Sequence, residues 1–154
     1  MTATVTITSS NLTGTTVRLL CSSVTLGVKK NISNKPIENG TELAEIQTQS
    51  FNNPTYTINS LKITNATGTF STINLLELMA LKYSGTNAPT LTITYGYTDP
   101  VRGYSEQTLP HWTSSGIVTT AIPVILDTGN VNIDVKDSKE GYMPIGSLTF
   151  IQTK

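Results

Sequence analysis

At 154 residues and 16.6 kDa the chain has room for one ordinary domain and not for two full-sized ones. Hydrophobic residues make up 37% and charged residues 13%, against roughly 45–50% and about 25% in an average domain. Ten Lys plus Arg balance ten Asp plus Glu, so the positive field that drives salt-dependent binding to nucleic acid or anionic lipid is absent, and sequence-specific DNA binding is excluded as a leading function.

Uncharged polar residues fill the gap: 28 Thr, 14 Ser and 12 Asn. The β-branched carbon of threonine suits a pleated surface, which predicts a mainly-β protein. A surface with few charges and no net charge favours association, so protein neighbours are expected. No stretch approaches the ~20 apolar residues of a membrane span, and Met1-Thr2-Ala3-Thr4-Val5-Thr6 lacks the basic and apolar regions of a signal peptide, so neither membrane nor secretion is expected. With Cys21 alone there is no internal disulfide, and the core must hold by packing.

Residues 2–8 alternate, with Ala3, Val5 and Ile7 on one face and Thr4, Thr6 and Thr8 on the other, as in a half-buried strand. After a turn at Asn11 to Gly14, Val17, Leu19 and Cys21 and then Val24, Leu26 and Val28 continue the habit as two strands or one bent strand. The stretch from Lys29 to Gly40 has three basic residues, three Asn, a Pro and a Gly, and reads as a long exposed loop of the kind that usually contacts something. Thr41 to Ser50 fits either a short helical turn or an edge strand. In Thr55 to Thr64 the apolar phase slips at Ser60, which predicts a strand with a bulge.

From Ser71 to Tyr83 the period changes to that of a helix, expected over about 71–84. Leu75, Leu76, Met79, Ala80 and Tyr83 form its predicted core stripe, Ser71 or Thr72 caps its start, and Ser84-Gly85 stops it. Leu78 and Leu81 then fall on the other side, as a candidate second face for a neighbouring subunit. Leu91, Ile93 and Tyr95 alternate with Thr in a strand that Tyr97 extends, and Asp99 to Gly103 is a turn. Strands follow at Ile117 to Leu126, interrupted by Pro123, at Val131, Ile133 and Val135, and after Gly146, with a polar loop from Asp137 to Pro144. The sum is a single domain over residues 1–154, two packed antiparallel sheets in a sandwich or barrel-like arrangement with one helix.

Chemistry finds little purchase in these residues. Val124-Ile-Leu-Asp-Thr-Gly129 resembles the catalytic loop of aspartic proteases, which need two such aspartates, and here there is one copy with 25 residues after it. The sole histidine, His111, adjoins the sole tryptophan, Trp112, with no nucleophile motif to serve and no zinc set to join. Cys21 reads as a small buried hydrophobe. Asp134, Asp137 and Glu140 lack EF-hand spacing, and no phosphate-cradling glycine motif is present. The expectation is a protein that is not an enzyme and has no catalytic residue, metal or cofactor.

The order of elements suggests a family. A strand pair, the polar segment Lys29 to Gly40, further strands, one helix, and a closing run through Ile122-Pro-Val-Ile-Leu126, Asn132-Ile-Asp-Val135 and Met143-Pro-Ile-Gly-Ser-Leu148 resembles the tail tube proteins of long-tailed bacterial and archaeal viruses. The resemblance implies a virion protein, made in the host cytoplasm, whose six-membered rings stack into a tube that conducts DNA without gripping it. Its partners would be copies of itself, other tail proteins and the passing DNA. By this analogy Lys29, Lys30, Asn31, Ile32, Ser33, Asn34 and Lys35 belong to the loop that reaches the next ring, and open strand edges are paired by neighbours. The alternative is a carbohydrate-binding or adhesin-like β-sandwich, with Tyr95, Tyr97, Tyr104 and Trp112 as stacking platforms.

Overall fold

The computed structural model describes residues 3–35, 45–51, 53–81, 88–127, 131–135 and 139–153. In chain order the elements are β1 (Thr4–Thr8), β2 (Thr16–Leu19), β3 (Ser23–Gly27), β4 (Lys30–Lys35), β5 (Glu45–Phe51), β6 (Thr55–Thr64), α1 (Thr72–Ala80), β7 (Thr90–Tyr95), β8 (Gln107–Thr108), β9 (His111–Thr113), β10 (Gly116–Val118), β11 (Ile122–Leu126) and β12 (Tyr142–Gln152). The protein is mainly β and sandwich-like, with antiparallel sheets and, among the described residues, one helix, as its composition and periodicity predict.

Strand alternation sorts the side chains. Val5 and Ile7 of β1, Val17 and Leu19 of β2, Leu91 and Ile93 of β7, Ile122, Val124 and Leu126 of β11, and Leu148 and Phe150 of β12 all point into one apolar cluster. On β1 and β7 threonines occupy the opposite positions, and threonines pair across strands, as in Thr8 with Thr16 (2.9 Å) and Thr57 with Thr149 (3.1 Å).

The main sheet has eight strands in the order β2-β1-β7-β11-β12-β6-β3, with β8 added to β7. It folds over on itself at β11. Ile122 and Pro123 pair with β7, then Val124 to Leu126 pair with β12, so one strand serves both layers. Pro123, which has no amide hydrogen to donate, sits where β11 leaves β7. On the other side the stretch from β2 to β3 does the same. Its first half pairs with β1 and its second with β6, and between them the Lys62 amide donates to the Leu20 carbonyl (2.9 Å) and the Ser22 amide to the Asn59 carbonyl (3.0 Å). The sheet thereby closes into a flattened barrel.

Closure needs curvature, and β6 supplies it. Ser60 has a left-handed φ of 54°, and the register against β12 shifts around Gly146, which is itself at φ 85°. The extra residue moves the apolar phase from Tyr56 and Ile58 to Leu61 and Ile63, all four buried, so the phase slip at Ser60 is the bulge it suggested.

Several expectations are corrected. Residues 30–35 are strand β4 rather than loop, paired in register with β5 from Lys30↔Phe51 to Lys35↔Glu45. Pro36 to Gly40 and residues 41–44 lie outside the described residues. Among the described residues the hairpin is a sheet of its own, joined to no barrel strand. Residues 131–135 are not a strand: Val131 and Ile133 pack against the core while Val135 is exposed. β7 ends at Tyr95, because Gly96 turns the chain at φ 82°, so Tyr97 does not extend it.

The helix shows the largest correction. It ends at Ala80, and the expected stop at Ser84-Gly85 lies outside the described residues. Leu78 is buried and Leu81, the extended C-cap, packs partly buried against the core, so these two are not an outward face. Ile73, Leu76 and Met79 are exposed in their place. Two polar side chains explain the inversion. Asn74 forms a capping box with Ser71 and also donates from Nδ2 to the Thr13 carbonyl (2.9 Å), while Oε2 of Glu77 accepts from the Thr13 amide (2.8 Å). Satisfying the backbone of the β1–β2 turn draws Asn74 and Glu77 inward, and Leu75 and Leu78 follow on the same side.

The helix orientation is testable by paired truncation. Leu78→Ala should cost about 2–5 kcal/mol in denaturant unfolding, as a buried leucine lost. Leu76→Ala should stay within about 0.5 kcal/mol. The reverse order would place the helix the other way round.

Candidate interaction surface

Exposed apolar side chains gather where the barrel is least covered. Strand β3 ends the sheet order, and Leu26 lies directly opposite buried Tyr56 of β6, on the inward face of that edge. No further strand among the described residues covers it, and Leu26 and Val28 are nearly half exposed. The β9–β10 hairpin folds in from the other layer and brings Trp112 and Ile117 beside them. Together with Tyr56, Pro110 and His111 they line a cleft of about 110 Å³. Ile117, 69% exposed, is the most prominent apolar group there.

One residue anchors this cleft. Gln152, buried at the end of β12, accepts at Oε1 from the Tyr56 hydroxyl (2.9 Å) and donates from Nε2 to the Trp112 carbonyl (2.6 Å). Its own carbonyl accepts from Asn53 Nδ2 (2.9 Å), and its amide donates to the Pro54 carbonyl. The bonds tie β9, β12 and the start of β6 into one unit. Burial pushes the Tyr56 phenol up to about 12, so it stays a hydrogen-bond donor. His111 is also buried, its Nδ1 is without a partner among the described residues, and loss of solvent holds its imidazole below the usual value of 6.5. His111 is thus a buried neutral ring, while Trp112 beside it in the chain stays 40% exposed.

A second apolar face is the outer side of α1, where Ile73, Leu76 and Met79 project. Ile73 also borders a groove of about 380 Å³ with Tyr142 and Met143 of β12. A third feature lies beyond the end of β7, where Tyr95, Tyr97 and Tyr104 line one hollow. The sequence grouped Trp112 with these tyrosines; the structure places it in the β3 cleft instead.

The remaining candidates are scattered. Cys21 is partly buried against the core, and burial pushes its thiol up while the Arg18 charge pulls it down. Asp127 is exposed and its amide donates to Thr149, with Thr128 and Gly129 outside the described residues. Asp137 lies outside them as well, and among the described residues no group of three His, Cys, Asp or Glu is placed to hold a metal ion. Lys29 directly precedes β4, and Lys30, Asn31, Ile32, Ser33, Asn34 and Lys35 are that strand. Sequence reasoning missed the β3 cleft because Leu26 and Trp112 are far apart in the chain and Leu26 falls in phase with the core. Its one available signal was the apolar pair Trp112 and Ile117 around the Thr-Ser-Ser-Gly turn.

No protein-family model matches the chain, and no curated protein matches it.

The histidine gives a pH prediction with a definite sign. Between its depressed folded value and 6.5 the unfolded chain binds a proton that the folded chain does not. Stability therefore rises with pH through that window and is level above it. Denaturant unfolding at about pH 5 and about pH 8 should show this gain in the native protein and a smaller one in His111→Gln. Equal gains would contradict the burial account.

Proposed function

We propose that the protein is a virion structural subunit of the tail tube type, which builds rings from copies of itself and stacks them into a DNA-conducting channel alongside other tail proteins. The observation that carries this reading is the apolar cleft on the last strand of the barrel. Leu26, Val28, Trp112 and Ile117 put greasy surface beside backbone groups that no described strand pairs, and a neighbouring copy would cover both at once.

Growth in a second direction is supported by the β4–β5 hairpin. Among the described residues it pairs only within itself, and it holds the segment from Lys30 to Lys35 assigned to inter-ring contact by analogy. The exposed face of α1 offers a further contact surface. A Thr-faced barrel with balanced charge suits a channel wall, since a basic lining would hold phosphates through counterion release.

Assembly is the direct test. Concentrated protein examined by size-exclusion chromatography and negative-stain microscopy should show rings or tubes, and Ile117→Lys should reduce them to monomers with the fold intact, because a charge would be buried at the contact. A monodisperse monomer at about millimolar concentration, where contacts worth only about 4 kcal/mol already register, would overturn the reading. The hairpin is tested separately. Lys30 and Phe51 are paired neighbours, about 5 Å apart, so a short Gly-Ser turn can replace everything between them. That variant should keep its barrel and lose stacking. Unchanged tubes would remove the hairpin from the mechanism.

A further inference from the structure

We propose that the hollow framed by Tyr95, Tyr97 and Tyr104 is a binding site for a neutral saccharide. Three of the chain's six tyrosines converge there within ten residues of sequence. Each ring remains 40–55% exposed, although tyrosine ordinarily buries its ring or finds its hydroxyl a partner. None of the three hydroxyls is hydrogen-bonded among the described residues. Tyr97 and Tyr104 meet edge to face, with centroids 5.9 Å apart and planes at 77°, so one ring braces the other and leaves a flat face open.

The hollow is held in shape before any ligand arrives. Asp99 and Tyr104 exchange backbone hydrogen bonds of 2.9 and 3.0 Å, and the Asp99 carboxylate caps the amides of Val101 and Arg102. Gln107 faces Tyr95 across the β7–β8 pair, with its amide nitrogen tied to Ser105 Oγ (2.8 Å) and its Oε1 without a protein partner among the described residues. Gly96 and Gly103, both at positive φ, are among the lining residues and let the chain turn there. Such preorganisation lowers the entropy lost on binding.

The lining selects the ligand class. Among the described residues that line the hollow there is no Asp, Glu, Lys, Arg or His, and Asp99 and Arg102 nearby pair with each other at 3.8 Å. A phosphorylated or acidic ligand would have no counter-charge. A pyranose ring stacks its C–H face on a phenol ring while its hydroxyls reach tyrosine hydroxyls and the Gln107 carbonyl oxygen. The volume of about 360 Å³ accommodates one or two sugar rings and falls within the range of small-ligand sites. The inference is independent of how copies assemble.

Saturation-transfer NMR on the full chain with cello-, malto-, manno- and chito-oligosaccharides tests it. At least one should bind with a Kd on the order of 1 mM. Tyr95→Ala should weaken that binding about tenfold at an unchanged melting temperature, as expected for a stacking ring lost. Tyr104→Phe should keep the stack and lose a few-fold, while Trp112→Ala in the other cleft should leave affinity unchanged. Tyr95→Ala alters only the exposed end of β7, so the test stands even if Tyr104 variants unfold. Absence of binding across the panel, affinity indifferent to Tyr95→Ala, or capture of an oligoproline peptide in place of every sugar would overturn the proposal.

Discussion

The bulged pairing of β6 with β12 sets the geometry of this barrel. At Ser60 the backbone enters the left-handed region, where a non-glycine residue incurs strain, and the register shifts around Gly146. The sharper twist aims Leu61 and Ile63 into the core and brings the Lys62 amide to the carbonyl of Leu20. That hydrogen bond lets the stretch from β2 to β3 run from one layer to the other. Without the bulge, Leu61 and Ile63 would lie on the outer face, since one residue of slip reverses every side chain beyond it.

Closure has a consequence at the barrel's margins. The kinked segment pairs with both layers, but β3 beyond the kink keeps only one strand neighbour among the described residues. The β9–β10 hairpin covers Tyr56 and buries His111 there, held by the side chain of Gln152, and stops short of covering Leu26. The exposed apolar strip therefore follows from how the sheet closes, and it lies beside a strand edge that no described strand pairs. The proposed self-assembly would draw on both features together. The tyrosine hollow has a different origin, in the loop that Asp99 and Tyr104 pin beyond β7.

Much of the strand framework was legible because its signal is local. Val5 and Ile7, Leu91 and Ile93, and the slip at Ser60 each declare a buried face through their own neighbours in sequence. The helix was legible in existence and start, through Ser71 and the change of period, and illegible in orientation. Apolar residues cover both its sides, so periodicity cannot choose between them. The choice falls to Asn74 and Glu77, whose hydrogen bonds reach Thr13 more than sixty residues away. The β4–β5 hairpin was missed for a related reason. With no barrel strand beside it, nothing requires Lys30 to Lys35 to carry an alternating apolar face. Val131 to Val135 show the converse, since alternation is present there and no strand forms.

By itself, then, the order of residues determined the β class, the threonine-clad outer faces, the bulge, the helix start and the lack of excess charge, because each depends on a residue and its near neighbours. Which side of α1 meets the core, where the layers exchange strands, and which aromatics share a hollow were decided only by the tertiary structure. Those outcomes rest on hydrogen bonds and packing between segments distant in the chain, as with Gln152 and Trp112 or Lys62 and Leu20, and no local pattern encodes which partner a buried polar group will find.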